Sequence, residues 1–236
     1  GGNTIIGTET VARSAPDGYT ILLVTSTLSI LSSLTKTPYD PVKDFAPVAT
    51  IGVSPQVLVL NTAVPANTLQ EVIALAKARP GSLNCASAGT GTPNHMGCEL
   101  LKSLANINFV HVPYKGGLPG MLDLHAGRVN YMITSMVSSL NFARDGRARL
   151  LAVSGDKRSH LFPDVPTVME MGIGGFEATL WHGVLAPAKV RKEVATRLNR
   201  EVVKVLAMPE VQKQLQFEGG SVSPSTPEEF AAMLKR

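Results

Sequence analysis

Residues 82–105 read "SLNCASAGTGTPNHMGCELLKSLA". An apolar run, "SLNCASA", passes through small and hydroxyl residues into a segment of helical spacing. That is the pattern of a strand handing over to a helix. Thr92 is placed to cap the helix and Pro93 to occupy its first position. Met96, Leu100, Leu101 and Leu104 then form the expected buried stripe. The loop between holds more small and polar residues than capping requires. Gly89 and Gly91 let the backbone approach a ligand closely, and Thr90, Thr92 and Asn94 add side-chain donors.

The same alternation runs through the rest of the chain. Strands are expected over "GYTILLVT" (18–25), "DFAPVATIG" (44–52), "PQVLVLN" (55–61), "NFVHVPY" (108–114), "RVNYMIT" (128–134, with Val129, Tyr131 and Ile133 on one side), "ARLLAVSG" (148–155) and "FEATLWHGVLAP" (176–187). Helices are expected over "LSILSSL" (28–34), from Thr68 with a Thr68/Glu71 capping box to a stop at Pro80-Gly81, over "KGGLPGMLDLHAG" (115–127) after a glycine turn, over "SSLNFARDG" (138–146) with Ser138 or Ser139 as cap, and over "PTVMEMG" (166–172). A long amphipathic helix is expected over 189–207, with Val190, Val194, Leu198, Val202 and Val205 near one face. Pro209 breaks it before a shorter helix over 210–220. Strand–helix alternation at this spacing predicts α/β architecture with largely parallel sheets.

Composition narrows the function classes. The chain has 236 residues, 44% apolar and 17% charged, enough for a sizeable core. Net charge is +4 and aromatics are 5%, with no basic block interleaved with aromatics, so nucleic acid is not an expected partner. The longest apolar run, "YTILLV", is far short of the roughly 18 residues of a membrane span. Cys85 and Cys98 fit no zinc spacing. They read most simply as buried free thiols, with a Cys85–Cys98 disulfide as the alternative.

Several strands end in small polar residues that open a helix: 25–29, 86–94, 115–117 and 134–139. In parallel α/β sheets ligands collect beyond the carboxyl ends of strands, and helix N-termini favour anions. Each turn taken alone is also an ordinary cap, and Trp181 reads as a core tryptophan, with a cleft-lining one as the alternative. Signals for catalysis or metal are thin. "AGTGT" lacks the lysine of a phosphate loop, no G-x-S-x-G elbow occurs, and no Ser–His or Cys–His pair is legible. His95 and Glu99 at i, i+4 could face a metal but lack a third ligand. His111 reads as packed or solvent-facing. No cofactor, metal or catalytic residue is expected.

Against this background the chain resembles the Bug-type substrate-binding proteins of tripartite tricarboxylate transporters. The stretches that carry the resemblance are "APDGYTILLVTST", "TPYDPVKDFAPVA", "LNCASAGTGTPNHMGCELLK", "HVPYKGGLPGMLDLHAGRV", "LLAVSGDKRSHLFPDVPTVMEMGIGGFEA" and "STPEEFAAMLK". The resemblance implies a two-lobed type II periplasmic binding fold, each lobe a mostly parallel sheet flanked by helices. Residues 1–60 and 184–236 would form lobe 1, lacking its N-terminal strand unit, and 61–183 lobe 2. Crossovers are expected at 55–61 and 180–187. It implies a periplasmic, non-enzymatic, monomeric protein that holds a small carboxylate-containing solute between the lobes and delivers it to a membrane permease. The implied ligand-binding residues are Ser87, Ala88, Gly89, Gly91 and Thr92 in lobe 2, with Thr25, Ser26 and Thr27 in lobe 1. Relatives often carry an aspartate near 134–135. Thr134 and Ser135 stand there in this chain, which disfavours ligands bearing an amine. Family members usually have a signal peptide and extend further at both ends, so the resemblance implies a chain cut short. The alternatives are a small hydrolase or transferase using helix N-termini as an oxyanion hole, or a ligand sensor on the same fold.

Overall fold

The computed structural model describes residues 4–235, apart from the side chain of Asn141; the opening Gly1-Gly2-Asn3 lies outside the described residues. In chain order the elements are α1 (Ile5–Ala12), β1 (Leu22–Thr25), α2 (Thr27–Leu34), β2 (Phe45–Ser54), β3 (Gln56–Asn61), α3 (Leu69–Ala78), β4 (Asn84–Ser87), α4 (Pro93–Ala105) and β5 (Val110–Pro113). They continue as α5 (Gly117–His125), β6 (Tyr131–Ser135), α6 (Met136–Arg144), β7 (Ala148–Val153), β8 (Leu180–Pro187), α7 (Lys192–Leu206), α8 (Pro209–Phe217), β9 (Ser221–Val222) and α9 (Pro227–Leu234). The chain divides into two compact units, Gly1–Ser54 with Leu180–Arg236, and Pro55–Thr179.

The first unit is built on a sheet in the order β1-β8-β2-β9. Its described pairings are antiparallel, Leu22 opposite Leu185 and Phe45 opposite Pro187. This differs from the parallel expectation. Alternation predicts strand type, but β8 arrives from the far end of the chain, and its direction is set by that return. Phe230 on α9 is fully buried and meets the Trp181 ring edge-to-face, centroids 5.6 Å apart. Gly183 has no side chain because the Phe230 ring lies where its Cβ would be. Thr226 and Glu229 fix the start of α9 with a reciprocal capping box. Periodicity predicts no helix at α1 or α9.

The second unit holds a sheet ordered β5-β4-β6-β3-β7. β4 is parallel to β5 and β6, whereas β3 is antiparallel to β6 and β7. Its two faces bury separate apolar sets. Leu58, Cys85, Tyr131 and Ile133 pack with Leu69 and Val72 of α3 and Leu101 of α4. Val57, Ala86 and Met132 pack with Met121 and Leu124 of α5. Val129 joins this second set, not the Tyr131 face. The two cysteines are paired as a disulfide between β4 and α4, which overturns the free-thiol reading.

Local corrections follow the same logic. On α4 the buried stripe is Gly97, Cys98, Leu101 and Ala105, while Leu104 is exposed. At Gly97 this face of α4 runs so near Ile133 and Ala178 that a Cβ there would crowd both. Residues 167–172 form turns, not a helix: Thr167 and Glu170 cap one another, but Gly172 reverses the chain at φ 90°. Ser135, not Ser138 or Ser139, serves the start of α6, accepting from Ser138 N–H at 3.3 Å. Thr68 caps α3 as expected, but the Glu71 carboxylate accepts from Asn67 N–H. Val205 on α7 is exposed.

Candidate functional site

In the second unit, register sets the site. Asn84 lies beside Val110 and Ser87 beside Pro113, while Ala86 lies beside Met132. The three parallel strands β5, β4 and β6 therefore end along one sheet edge. Each is followed by a helix start, at Gly117, Pro93 and Met136. The expected residues 87–92 and 134–135 are brought together there. Asn94 Nδ2 donates to Ile133 C=O at 2.7 Å, tying α4 to β6, and Gly116 N–H donates to Ala88 C=O at 3.0 Å, tying the two turns together. Lys115 is exposed on the β5–α5 turn and adds a cation to this edge. An anion placed at this edge would lie near three helix starts, whose positive ends favour it.

The loop itself satisfies many of its own polar groups. Thr92 caps α4, its Oγ1 accepting from His95 N–H at 3.4 Å and donating to Gly89 C=O at 2.7 Å. Gly89 N–H donates to Ser87 Oγ at 3.1 Å. Gly91 N–H donates to His95 Nδ1 at 3.2 Å. Thr90 is likewise engaged. Positive φ at Gly89 and Gly91 (139° and 78°) makes this winding possible without strain.

Behind the loop lie two histidines that sequence spacing did not pair. His111 Nε2 is 2.7 Å from Ser87 Oγ, and the His95 and His111 rings stack with centroids 3.9 Å apart. Their approach follows from the β4–β5 register, which sets His111 beside Cys85. Burial holds both imidazoles below their ordinary 6.5; Glu99 opposes this at each, at 3.9 Å from His95 Nε2. The Ser87–His111 pair is not arranged as a nucleophile and base. A nucleophile must meet its substrate, whereas Ser87 is 0% exposed and its oxygen also accepts from Gly89. Among the described residues no group of three or more His, Cys, Asp and Glu side chains could hold a metal ion, His95 and Glu99 included.

Thr134 is buried, and exposed Ser135 shares its hydroxyl with Ser138 at 2.6 Å. Gln56, the register partner of Ser135, was not anticipated. It is 3% exposed, and its Oε1 finds no donor among the described residues. Its place inside an apolar strand run, "PQVLVLN", was the available signal.

Thr25, Ser26 and Thr27 lie in the first unit, where β1 turns into α2. Thr25 and Thr27 share a hydroxyl bond of 3.0 Å, and Ser26 N–H donates to Trp181 C=O at 3.3 Å. Ser26 stands at the N-cap yet makes no capping bond, and its Oγ is buried without a partner among the described residues.

Residues 1–232 match the family described as the tripartite tricarboxylate transporter family receptor. The chain belongs to this family. Protein BugT of Bordetella pertussis is 36% identical over 239 residues, covering 99% of this chain and 73% of BugT. A protein from the tcbD-tcbE intergenic region of a Pseudomonas species is 37% identical, covering all of this chain and 70% of its own length. Among solved structures, the periplasmic binding protein BugD superposes with a TM-score of 0.89 at 32% identity, covering 100% of this chain and 80% of BugD. An R. palustris protein solved with adipate gives 0.90 at 30%, covering 98% and 78%. These matches bear out the α/β, two-lobed binding-protein fold of this receptor family. Among the described residues, no helix of this receptor is long and apolar enough to cross a membrane.

Proposed function

We propose that this receptor is a periplasmic, non-enzymatic binding protein for a small carboxylate-containing solute, which it presents to a membrane permease. The observation that carries this reading is the edge where β5, β4 and β6 end together against three helix starts. The family relationship supports it, as does the adipate in the R. palustris relative and the malate in MatC, 28% identical with a TM-score of 0.87. On this reading Ser87, Ala88, Gly89, Gly91 and Thr92 shape the carboxylate pocket, with Thr134 and Ser135 beside it. The resemblance assigns Thr25, Ser26 and Thr27 a further share of the ligand, which is a separate claim with its own test.

Magnitudes show why several groups must act together. One helix terminus contributes at most about 2 kcal/mol toward an anion. Micromolar affinity requires roughly 8 kcal/mol. Three helix ends leave a remainder for hydrogen bonds, each worth roughly 1.5–3 kcal/mol to a charged group.

A thermal-shift panel of mono-, di- and tricarboxylates tests the reading. A ligand at about a hundred times its Kd should stabilise the fold by about 2.7 kcal/mol. At least one carboxylate is expected to raise the melting midpoint, while amines of similar size are not. A panel in which no carboxylate moves the midpoint and calorimetry finds no binding would refute it.

A further inference from the structure

We infer that His95 is a positioning residue of the 87–92 loop, and that the loop takes up its anion together with a proton. The inference rests on the carboxylate reading above and adds a regulation to that site.

The geometry begins with Gly91. Its N–H is among those an anion on this loop would use, yet it donates to His95 Nδ1 at 3.2 Å. An imidazole that accepts at Nδ1 is neutral and carries its proton on Nε2. That nitrogen faces Glu99 Oε1 at 3.9 Å. Protonation places a hydrogen on Nδ1, and the Gly91 bond cannot survive it. Gly91 N–H is released, and a second donor, Nδ1–H, appears beside it with a full positive charge. The neutral loop is closed on itself; the protonated loop has two donors for a carboxylate.

The neighbours decide which histidine is the switch. Around His95 stand Glu99 and Lys102 on its own helix α4 and the stacked His111 ring on β5. Tyr131 on β6 is buried and neutral, its hydroxyl pushed well above 10 by burial and then by Glu99. Glu99 favours a proton on His95, while burial and Lys102 oppose it, and opposition prevails in the unliganded protein. A bound carboxylate supplies further negative charge and raises the proton affinity of His95. His111 behaves differently. If protonated, its Nε2 still serves Ser87 Oγ at 2.7 Å as donor, and Ser87 turns its own hydroxyl to Gly89 C=O at 3.1 Å. Only His95 must break a loop bond to take a proton.

Linkage fixes the sign. Anion affinity should rise as pH falls, from the pKa of His95 in the complex down to its lower value in the free protein. With one proton taken up, the rise is at most about tenfold per pH unit. Calorimetry with adipate and with malate, from about pH 6 to about pH 8 and thus above the ordinary carboxylate range, reads this slope. Buffers of different ionisation enthalpy count the proton. His95→Asn keeps an uncharged acceptor for Gly91 and should hold affinity at the wild-type alkaline value throughout. Flat wild-type affinity with no proton uptake overturns the coupling, as does a slope that persists in His95→Asn. Amide NMR of the unliganded wild type gives a readout without ligand. The Gly91 amide should shift with the His95 ring titration, and an indifferent Gly91 amide overturns the switch. If neither probe binds at any pH, the carboxylate reading itself falls; binding without pH dependence overturns only the proton coupling.

Discussion

The turn at 25–27 and the loop at 87–92 both carry serine and threonine hydroxyls, and both lead a strand into a helix. Their polar groups are spent differently. In the second unit, Thr92 caps α4, the amides of Gly89 and Gly91 find internal acceptors, and two histidines stand behind them. In the first unit, Ser26 occupies the cap position of α2 without capping it, and its hydroxyl is buried with no partner among the described residues. One turn satisfies its polar groups internally, and the other leaves the Ser26 hydroxyl unpartnered among the described residues. The same small polar residues after a strand therefore leave different hydrogen-bond patterns, and on the carboxylate reading that pattern decides what binding must displace.

The largest expected effect breaks the loop backbone. Gly91 has φ 78°, where an L-residue loses roughly 1–2 kcal/mol and a β-branched one more. Gly91→Val also obstructs approach to its N–H. With two hydrogen bonds to charge at risk, carboxylate affinity should fall about a hundredfold or more in calorimetry. The thermal midpoint should drop by less than that loss implies. Affinity within threefold of wild type would mean that the loop is only a connection.

Acid stability probes the histidines behind the loop. His95, His111 and His182 are all held below 6.5, chiefly by burial. Above 6.5 each is neutral in both folded and unfolded chains. Below it the unfolded chain binds the extra protons, so stability falls with acidification until the lowered folded values are passed. Thermal midpoints should decline below pH 6.5 and decline less in His95→Asn. An equal decline in both would show that His95 does not contribute.

Thr92→Ala should have a smaller effect. Losing the cap costs about 1 kcal/mol, and the bond to Gly89 C=O is lost with it. Because that hydroxyl already serves Gly89, affinity should fall through loosening of the loop, by about tenfold, equivalent to about 1.4 kcal/mol. Thr92→Ser retains both bonds and should restore both properties. Denaturant melts and titrations of the two variants provide the check; Thr92→Ala with wild-type affinity would confine Thr92 to capping.

How much was legible follows from the range of each interaction. Thr92, Pro93 and the strand before them act on near neighbours, so the start of α4 could be read directly. Pairing direction in the first unit depends on β8, more than a hundred residues from its partners, and alternation carries no sign of it. The Ser87–His111 and His95–His111 contacts arise only when β4 and β5 lie side by side. Gly183 leaves room for the Phe230 ring of α9, a contact between distant segments that no local pattern carries. The family resemblance named the loop; it did not show that Gly89 and Gly91 are already engaged.

The smallest expected effect is also the sharpest test of the contrast between the turns. Ser26→Ala removes a buried hydroxyl with no partner among the described residues. Deleting a polar group that is buried and unsatisfied relieves a desolvation cost, so stability should stay within about 0.5 kcal/mol of wild type or rise slightly. If Ser26 donates to the bound carboxylate, affinity should fall roughly tenfold while the unliganded melting midpoint stays in place, since a hydrogen bond to charge is worth about 1.5–3 kcal/mol. Thr92→Ala should move both quantities. Stability and affinity both unchanged in Ser26→Ala would remove Ser26 from the ligand's contacts and leave its hydroxyl a tolerated defect of the first unit. Lost stability would mean that the hydroxyl has a structural partner after all. A fall in affinity alone would show that the Ser26 hydroxyl takes part in binding the carboxylate.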